Sequence, residues 1–231
     1  MILFKPFVRL AKRLHRNRQH FAHFSAKHKG RKFTFNGSEL EYLWDLTHWT
    51  WLNERCVEIP IARSFVEQHA GQRILEVGNV LWKYFPTSHD VVDKYETGQG
   101  DHVISKDIID YQPEEKYDFI ISISTVEHIG WDEKPRDRDK IPQTIDHLKS
   151  MLNPGGQIVL TFPMGYNQFL DSMMRDGSLS FNERYFMKRT SWANEWQQVD
   201  FADVRRAQYG YPYYYANAIV IGAINRQSID F

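Results

Sequence analysis

Four ionisable side chains in the middle of the chain have the types and spacing to do chemistry. They are Glu76 in "RILEVGN", Asp93 seventeen residues on, Asp107 in "SKDIIDY" and His128 in "SISTVEHIGWDE". A carboxylate some twenty residues past a strand-end glycine turn is placed to grip ribose hydroxyls, and Asp93 meets that spacing. Asp107 is followed by apolar Ile108, a pair suited to accepting from an amino group while packing on a purine ring. His128 is the residue type that most often moves protons near neutral pH. Each has a plainer reading. Glu76 could cap a helix, Gly78 could be a turn glycine, Asp107 could be an N-cap, Glu96 competes with Asp93, and the "EH" pair could shape a loop.

The loop after Glu76 says which ligand those grips would serve. It keeps Gly78 but continues with Asn79, Val80 and Trp82. A pyrophosphate needs further glycines so that backbone amides can approach it at a helix N-terminus. A ligand without phosphate needs only room beside the turn. Ribose, adenine and no phosphate describe S-adenosylmethionine. Beyond His128, the run "GWDEKPRDRDK" offers Asp132, Glu133, Asp137 and Asp139 either as oxygen ligands for Mg2+ or as a solvated loop.

The elements that must hold these residues read as alternating strand and helix. Strands are expected at Arg73–Val77, Asp90–Val92, Tyr117–Ile123, Gln157–Phe162 and Ala218–Ala223, with a helix at Ile141–Leu152 before "NPGG". This alternation predicts an α/β fold with a doubly wound, mostly parallel sheet. Ligands of such sheets bind at the carboxyl ends of the strands, where the four residues fall. Residues Glu39 to about His69 read as a helical cover, broken at Pro60 and closed by Gly71.

At 231 residues, the chain can bury one full α/β core. Its only cysteine, Cys56, excludes an internal disulfide and a multi-cysteine zinc site, and a reducing cytoplasm is the simplest setting. Net charge is zero, but residues 1–32 hold ten Lys/Arg and no acid, so a basic arm precedes an acidic body. Leu3, Phe7, Leu10, Ala11 and Leu14 at helical spacing make that arm amphipathic. It could contact an anionic membrane surface, bind nucleic acid, or pack on its own acidic body.

In their order, "LEVGN", "VVDKYE", "KDIIDY", "YDFIISISTVEHIG" and "LNPGGQIVLTFP" resemble the class I S-adenosylmethionine-dependent methyltransferases, bacterial members of uncertain acceptor in particular. The resemblance covers about residues 70–165, and "ANAIVIGAIN" resembles that fold's last antiparallel strand. It departs in the first motif, where only Gly78 survives of acid-x-Gly-x-Gly-x-Gly. The resemblance implies a seven-stranded Rossmann-like sheet with an N-terminal helical extension. It divides the chain into an arm at 1–37 and a methyltransferase domain at 38–231, with cover 38–70, donor core 71–165 and acceptor-side segment 166–231. It also implies Glu76, Gly78 and Asn79 beside the methionine portion, Asp93 on ribose, and Asp107 with Ile108 on adenine. Ser124 and Thr125 would lie below the sulfonium.

Methyl transfer to a hydroxyl needs a base, and His128 follows the strand end where the methyl should point. For the acceptor, "THWTWLNER", "FPMGYN" and "YGYPYYYAN" concentrate aromatic rings with amides and a guanidinium. Asn53, Arg55, Tyr166, Asn167 and Tyr213 are the expected substrate contacts, a set suited to a sugar or glycan. The alternatives are an NAD-dependent nucleotide-sugar oxidoreductase and a non-catalytic membrane- or nucleic-acid-docked module. The first lacks its glycines and a Tyr-x-x-x-Lys pair, since Tyr42 is followed at i+4 by Leu46 and Tyr111 by Glu115. Nucleic acid is disfavoured by the acidic body and by "SIST" where a Pro-Pro-Tyr-type flipped-base motif would stand.

Overall fold

A computed structural model describes residues 5–96 and 103–227; Leu3 of the arm and the side chains of residues 5–16 lie outside the described residues. The first helix, α1 (Lys5–His28), is longer than the arm's amphipathic stripe predicts. Its C-terminal half carries a second set of apolar residues, and these dock on the body. Phe24 meets Trp44 at 5.0 Å and Trp51 at 5.3 Å, and Phe21 meets Trp51 at 6.1 Å.

Next comes a hairpin of β1 (Lys32–Phe35) and β2 (Ser38–Glu41), where a helix was expected from Glu39. Its turn is Asn36-Gly37, both at positive φ (46° and 78°). Such a pair closes two-residue hairpins with the twist of the flanking strands. Phe33 and Phe35 alternate inward and are buried. Helix α2 (Arg55–Gln68) then runs unbroken through Pro60. Proline removes the N–H that would bond the Cys56 carbonyl one turn back. Here that carbonyl accepts from Leu43 N–H at 2.9 Å, so the helix loses no partner.

The main sheet comprises β3 (Ile74–Val77), β4 (Asp90–Val92), β5 (Val103–Ile104), β6 (Tyr117–Ile123), β7 (Leu152–Pro163), β8 (Glu183–Arg189), β9 (Trp196–Val199) and β10 (Ala218–Asn225). Their order is β5-β4-β3-β6-β7-β10-β8-β9. The strands from β5 to β7 pair in parallel, and β10 is antiparallel to both β7 and β8. This is the expected doubly wound seven-stranded sheet, with β9 added at one edge as an eighth strand. The NPGG segment does not end the preceding helix in a free turn but lies within β7, which is twelve residues long.

Helices α3 (Lys140–Ser150), α4 (Gln168–Asp176) and the short α5 (Phe201–Val204) complete the chain. One core lies between the sheet and α3 and α4, with Leu75, Ile120, Ile145, Leu148 and Phe162 in it. The other lies between the opposite face and α2 with the hairpin, around Ile59, Ile61, Phe119, Ile121 and Val159. Strand β6 is buried on nearly every residue, as a strand covered on both faces must be. The strand order reverses between β3 and β6, which is where such sheets place ligands.

Candidate active site

A pocket of about 410 Å3 opens at the carboxyl ends of β3, β4 and β6. Val77, Val92, Ile108 and Ile129 give it apolar walls, and Asp93, Asp107, His128 and Asp132 give it polar ones. Gly78, Asp93, Asp107, Ile108, Thr125 and His128, all singled out from sequence, line it together. Glu76, Asn79 and Ser124 do not.

Glu76 is fully buried beneath the loop after β3. One carboxylate oxygen accepts from the amides of Val80 and Leu81, both at 2.8 Å, and the other pairs with His89 Nε2 at 2.8 Å. The Asn79 amide donates to Asp93 Oδ2 at 2.9 Å, and the Gly78 amide to the Val92 carbonyl at 2.8 Å. Four successive amides are thus consumed within the protein, and none faces a ligand phosphate. A glycine-rich loop leaves such amides open for a pyrophosphate. That argues against a dinucleotide and explains why Val80 and Trp82 are tolerated here. Gly78 is retained for a different reason: its φ is +87°, and a Cβ would lie 2.1 Å from Thr125 Oγ1.

Asp93 also accepts from the amides of Tyr95 and Glu96, at 2.8 and 3.0 Å, which fixes the turn after β4. Glu96, its competitor, is held by Asn79 Nδ2 and Lys83 Nζ and is not in the pocket wall. Asp107 caps the turn after β5 and is gripped by Lys140 Nζ at 2.7 Å and Lys94 Nζ at 3.0 Å. Both lysines also reach Glu133, so two cations and two anions join three loops around the pocket mouth. Burial raises the Asp107 carboxyl, but the Lys140 and Lys94 hydrogen bonds outweigh it and hold the carboxyl below its ordinary range.

His128 follows β6 in a short 3-10 turn and is half exposed at the pocket wall. Its Nδ1 is 2.6 Å from Asp132 Oδ2, and Tyr166 Oη donates to the same oxygen at 2.8 Å. Burial first, and then that hydrogen bond, push the Tyr166 phenol up to about 12, so it stays a donor. A carboxylate at Nδ1 favours the tautomer with the proton there, which leaves Nε2, 3.8 Å from Glu127 Oε1, as the accepting nitrogen. Asp132 is therefore a partner of the histidine rather than of a metal. Glu133 is tied to the lysines, and Asp137 caps the amide of Asp139. The acid run diverges, and among the described residues no group of three or more His, Cys, Asp or Glu is placed to hold a metal ion. Of the two readings of this run, oxygen ligands for Mg2+ or a solvated loop, these contacts fit the second.

The expected substrate contacts separate. Tyr166 is at the histidine. Asn167 is buried, caps α4 through the amides of Phe169 and Leu170, and donates to the Glu127 carbonyl at 2.7 Å. Asn53 donates to the His48 carbonyl and accepts from the Arg55 amide. Arg55 lies 3.4 Å from Glu58, whose other oxygen accepts from Ser124 and Thr161 hydroxyls, each at 2.6 Å. Tyr213 lies in the loop before β10, its hydroxyl on the Thr190 carbonyl. The amides of Asn53 and Asn167 thus hold elements in place instead of standing open.

Sequence reasoning missed the buried acids Glu54, Glu58 and Glu127, which gather around Arg55 at the ends of α2 and β6. Burial pushes the Glu127 carboxyl well above its ordinary range, and nearby Glu58 adds to the rise. Local pattern could not show this, because the group forms only when α2 folds over the sheet. The His128–Asp132 pair had a local signal, the spacing of four that brings side chains together on a helical turn.

The sheet order, the antiparallel β10 and a pocket at the switch point without a phosphate cradle are those of a Rossmann-like methyltransferase fold. The methyltransferase-domain family model matches residues 65–206, more than half of the chain. The chain belongs to this family, the class I S-adenosylmethionine-dependent methyltransferases. Among curated proteins none matches it in sequence. Among solved structures it is similar to the N-methyltransferase NodS from Bradyrhizobium japonicum bound to S-adenosyl-L-homocysteine, at 13% identity and a TM-score of 0.41, covering 72% of this chain and 85% of that one. It is similar to a SAM-dependent methyltransferase from Thermotoga maritima, at 12% identity and 0.46, covering 74% and 87%. It is also similar to the sugar N-methyltransferase KedS8 from a Streptoalloteichus species, at 11% and 0.40, covering 84% and 96%.

Proposed function

We propose that this chain transfers the methyl group of S-adenosylmethionine to a hydroxyl of a sugar or a similar small polar acceptor. The observation that carries this reading is His128 at the pocket wall, with Nδ1 fixed on Asp132 and Nε2, 3.8 Å from the buried Glu127 Oε1, not hydrogen-bonded to it. When bound, S-adenosylmethionine supplies a methyl group already activated as a sulfonium, so the chain must position and deprotonate the acceptor. Asp93 takes the ribose hydroxyls. Asp107 takes the adenine amino group, and Ile108 packs on the ring. Gly78 and Thr125 leave room for the methionine portion, with Glu76, Asn79 and Ser124 holding the loops behind them.

His128 Nε2 removes the acceptor's hydroxyl proton as the carbon–oxygen bond forms and the carbon–sulfur bond breaks. Asp132 stabilises the imidazolium so produced, and the thioether S-adenosylhomocysteine leaves. Removing a base of this kind slows chemistry by about 100- to 10,000-fold. The test is transfer of tritium from methyl-labelled S-adenosylmethionine to a panel of sugars and of small amines. Label in sugar ethers, lost in His128→Asn, is the expected result. Label in amines alone would overturn the hydroxyl reading.

A further inference from the structure

Five of the large apolar side chains that stand exposed share one edge of the protein. They are Trp192 (67% exposed), Tyr211 (69%), Tyr214 (74%), Tyr209 (37%) and Tyr215 (40%). The edge continues from the candidate active site. The His128 ring meets Tyr166 at 5.0 Å, and Tyr166 meets Tyr209 at 5.2 Å. The loop carrying Tyr209 then leads to Tyr213, which meets Trp192 at 5.1 Å, with Tyr214 6.2 Å from Trp192.

The exposure does not come from a loose loop. Asn217 Nδ2 lies within 3.1 Å of the carbonyls of Gln208, Tyr213 and Tyr215, and Asn217 Oδ1 accepts from the Tyr213 amide at 3.0 Å. Arg189 donates to the Tyr214 carbonyl at 2.9 Å and to the Leu52 carbonyl at 3.0 Å. The Ala216 amide donates to Glu54 at 3.2 Å. The protein therefore fixes this loop by three side chains, Asn217, Arg189 and Glu54, while leaving rings in water. Large exposed apolar area held rigid marks a binding surface, because ordering has been done before the partner arrives.

The partner's chemistry can be read from the groups around the rings. Beside them runs a groove of about 570 Å3 lined by Lys188, Thr190, Asp203, Arg206 and Gln208. Flat rings stack on the apolar faces of pyranoses, and the charged and amide groups suit hydroxyls and acidic substituents. All the exposed large side chains on this edge are aromatic, four of them tyrosines, each a flat face with a polar tip.

We propose that this edge is a docking platform for an oligosaccharide, with the neighbouring units stacked on Trp192 and Tyr214 and the acceptor sugar beside His128. The proposal rests on the glycan reading of the acceptor and narrows it from a free sugar to one unit of a longer chain. The full-length protein, saturated with S-adenosylhomocysteine and fluorescently labelled, is applied to an array of mono- to hexasaccharides and, separately, to phosphatidylglycerol vesicles. The expected result is retention on a set of oligosaccharides at least roughly tenfold above their monosaccharides. Trp192→Ala with Tyr214→Ala should abolish that difference while leaving thermal stabilisation by S-adenosylhomocysteine unchanged. Three results would overturn the platform: retention on vesicles alone, no retention on any oligosaccharide, or retention that the double variant keeps. Stabilisation by S-adenosylhomocysteine in those cases leaves methyl transfer standing; its absence sinks the reading beneath the platform as well.

Discussion

His128 Nδ1 and Asp132 Oδ2 are 2.6 Å apart at the wall of the pocket, with Tyr166 Oη on the same oxygen. This arrangement orders the variants. His128→Asn should lower kcat by about 100- to 10,000-fold with donor affinity unchanged. Asp132→Asn should cost less, because it removes the group that orients the base but not the base. Tyr166→Phe should cost least. A kinetic series in which Tyr166→Phe is the most damaging would contradict the assignment.

Gly78 and Thr125 touch across the ends of β3 and β6. Gly78→Ala must place a Cβ 2.1 Å from Thr125 Oγ1 at a φ of +87°. Strain of this kind costs about 1–3 kcal/mol. Thermal melting should show a fall of roughly 2–4 °C for each of those kcal/mol, together with loss of donor binding. A variant that melts and binds like wild type would refute the close approach.

Arg55 and Glu58 form a buried pair in which Glu58 also anchors Ser124 and Thr161. Glu58→Ala takes from the guanidinium one of the acids around it and removes the acceptor of two hydroxyls, and breaking a buried pair costs up to about 3–5 kcal/mol. Glu58→Gln keeps one acceptor oxygen and should lose less. Urea titration of both variants checks this, and equal midpoints for Glu58→Ala and wild type would contradict it.

Burial pushes the Glu127 carboxyl well above its ordinary value of 4.5 in the folded chain. A raised folded value means that its contribution to stability is fully present below about 4.5 and is lost as pH rises through the folded value. Glu127→Gln is neutral at every pH. The variant's melting temperature relative to wild type should therefore climb between pH 4 and pH 8. A difference that stays flat with pH would show that Glu127 is ionised in the fold.

The sequence made much of the pocket lining legible, because those residues come after strands and the strands announced themselves as short apolar runs. Asp93, Asp107, Ile108 and His128 fall at strand ends and meet in one pocket. The role of Glu76 was not legible. Whether a carboxylate at a strand end faces the ligand or the amides of Val80 and Leu81 depends on how the next loop folds back. The residues expected to meet the acceptor were harder still. Asn53 and Asn167 look like open amides in sequence and are consumed in capping. The hairpin at Lys32–Glu41 had a local signal in Asn36-Gly37, outweighed by the helical pattern of the residues from Glu39 onward. The Glu54, Glu58 and Glu127 group joins residues some seventy positions apart and exists only in the folded chain.

Direct titration calorimetry with S-adenosylhomocysteine, with NAD run in parallel, tests the central claim that this pocket holds a methyl donor. The account predicts saturable binding of S-adenosylhomocysteine, roughly tenfold or more weaker in Asp93→Ala and in Asp107→Ala, and no heat from NAD. Binding of NAD, or S-adenosylhomocysteine binding indifferent to both substitutions, would contradict it.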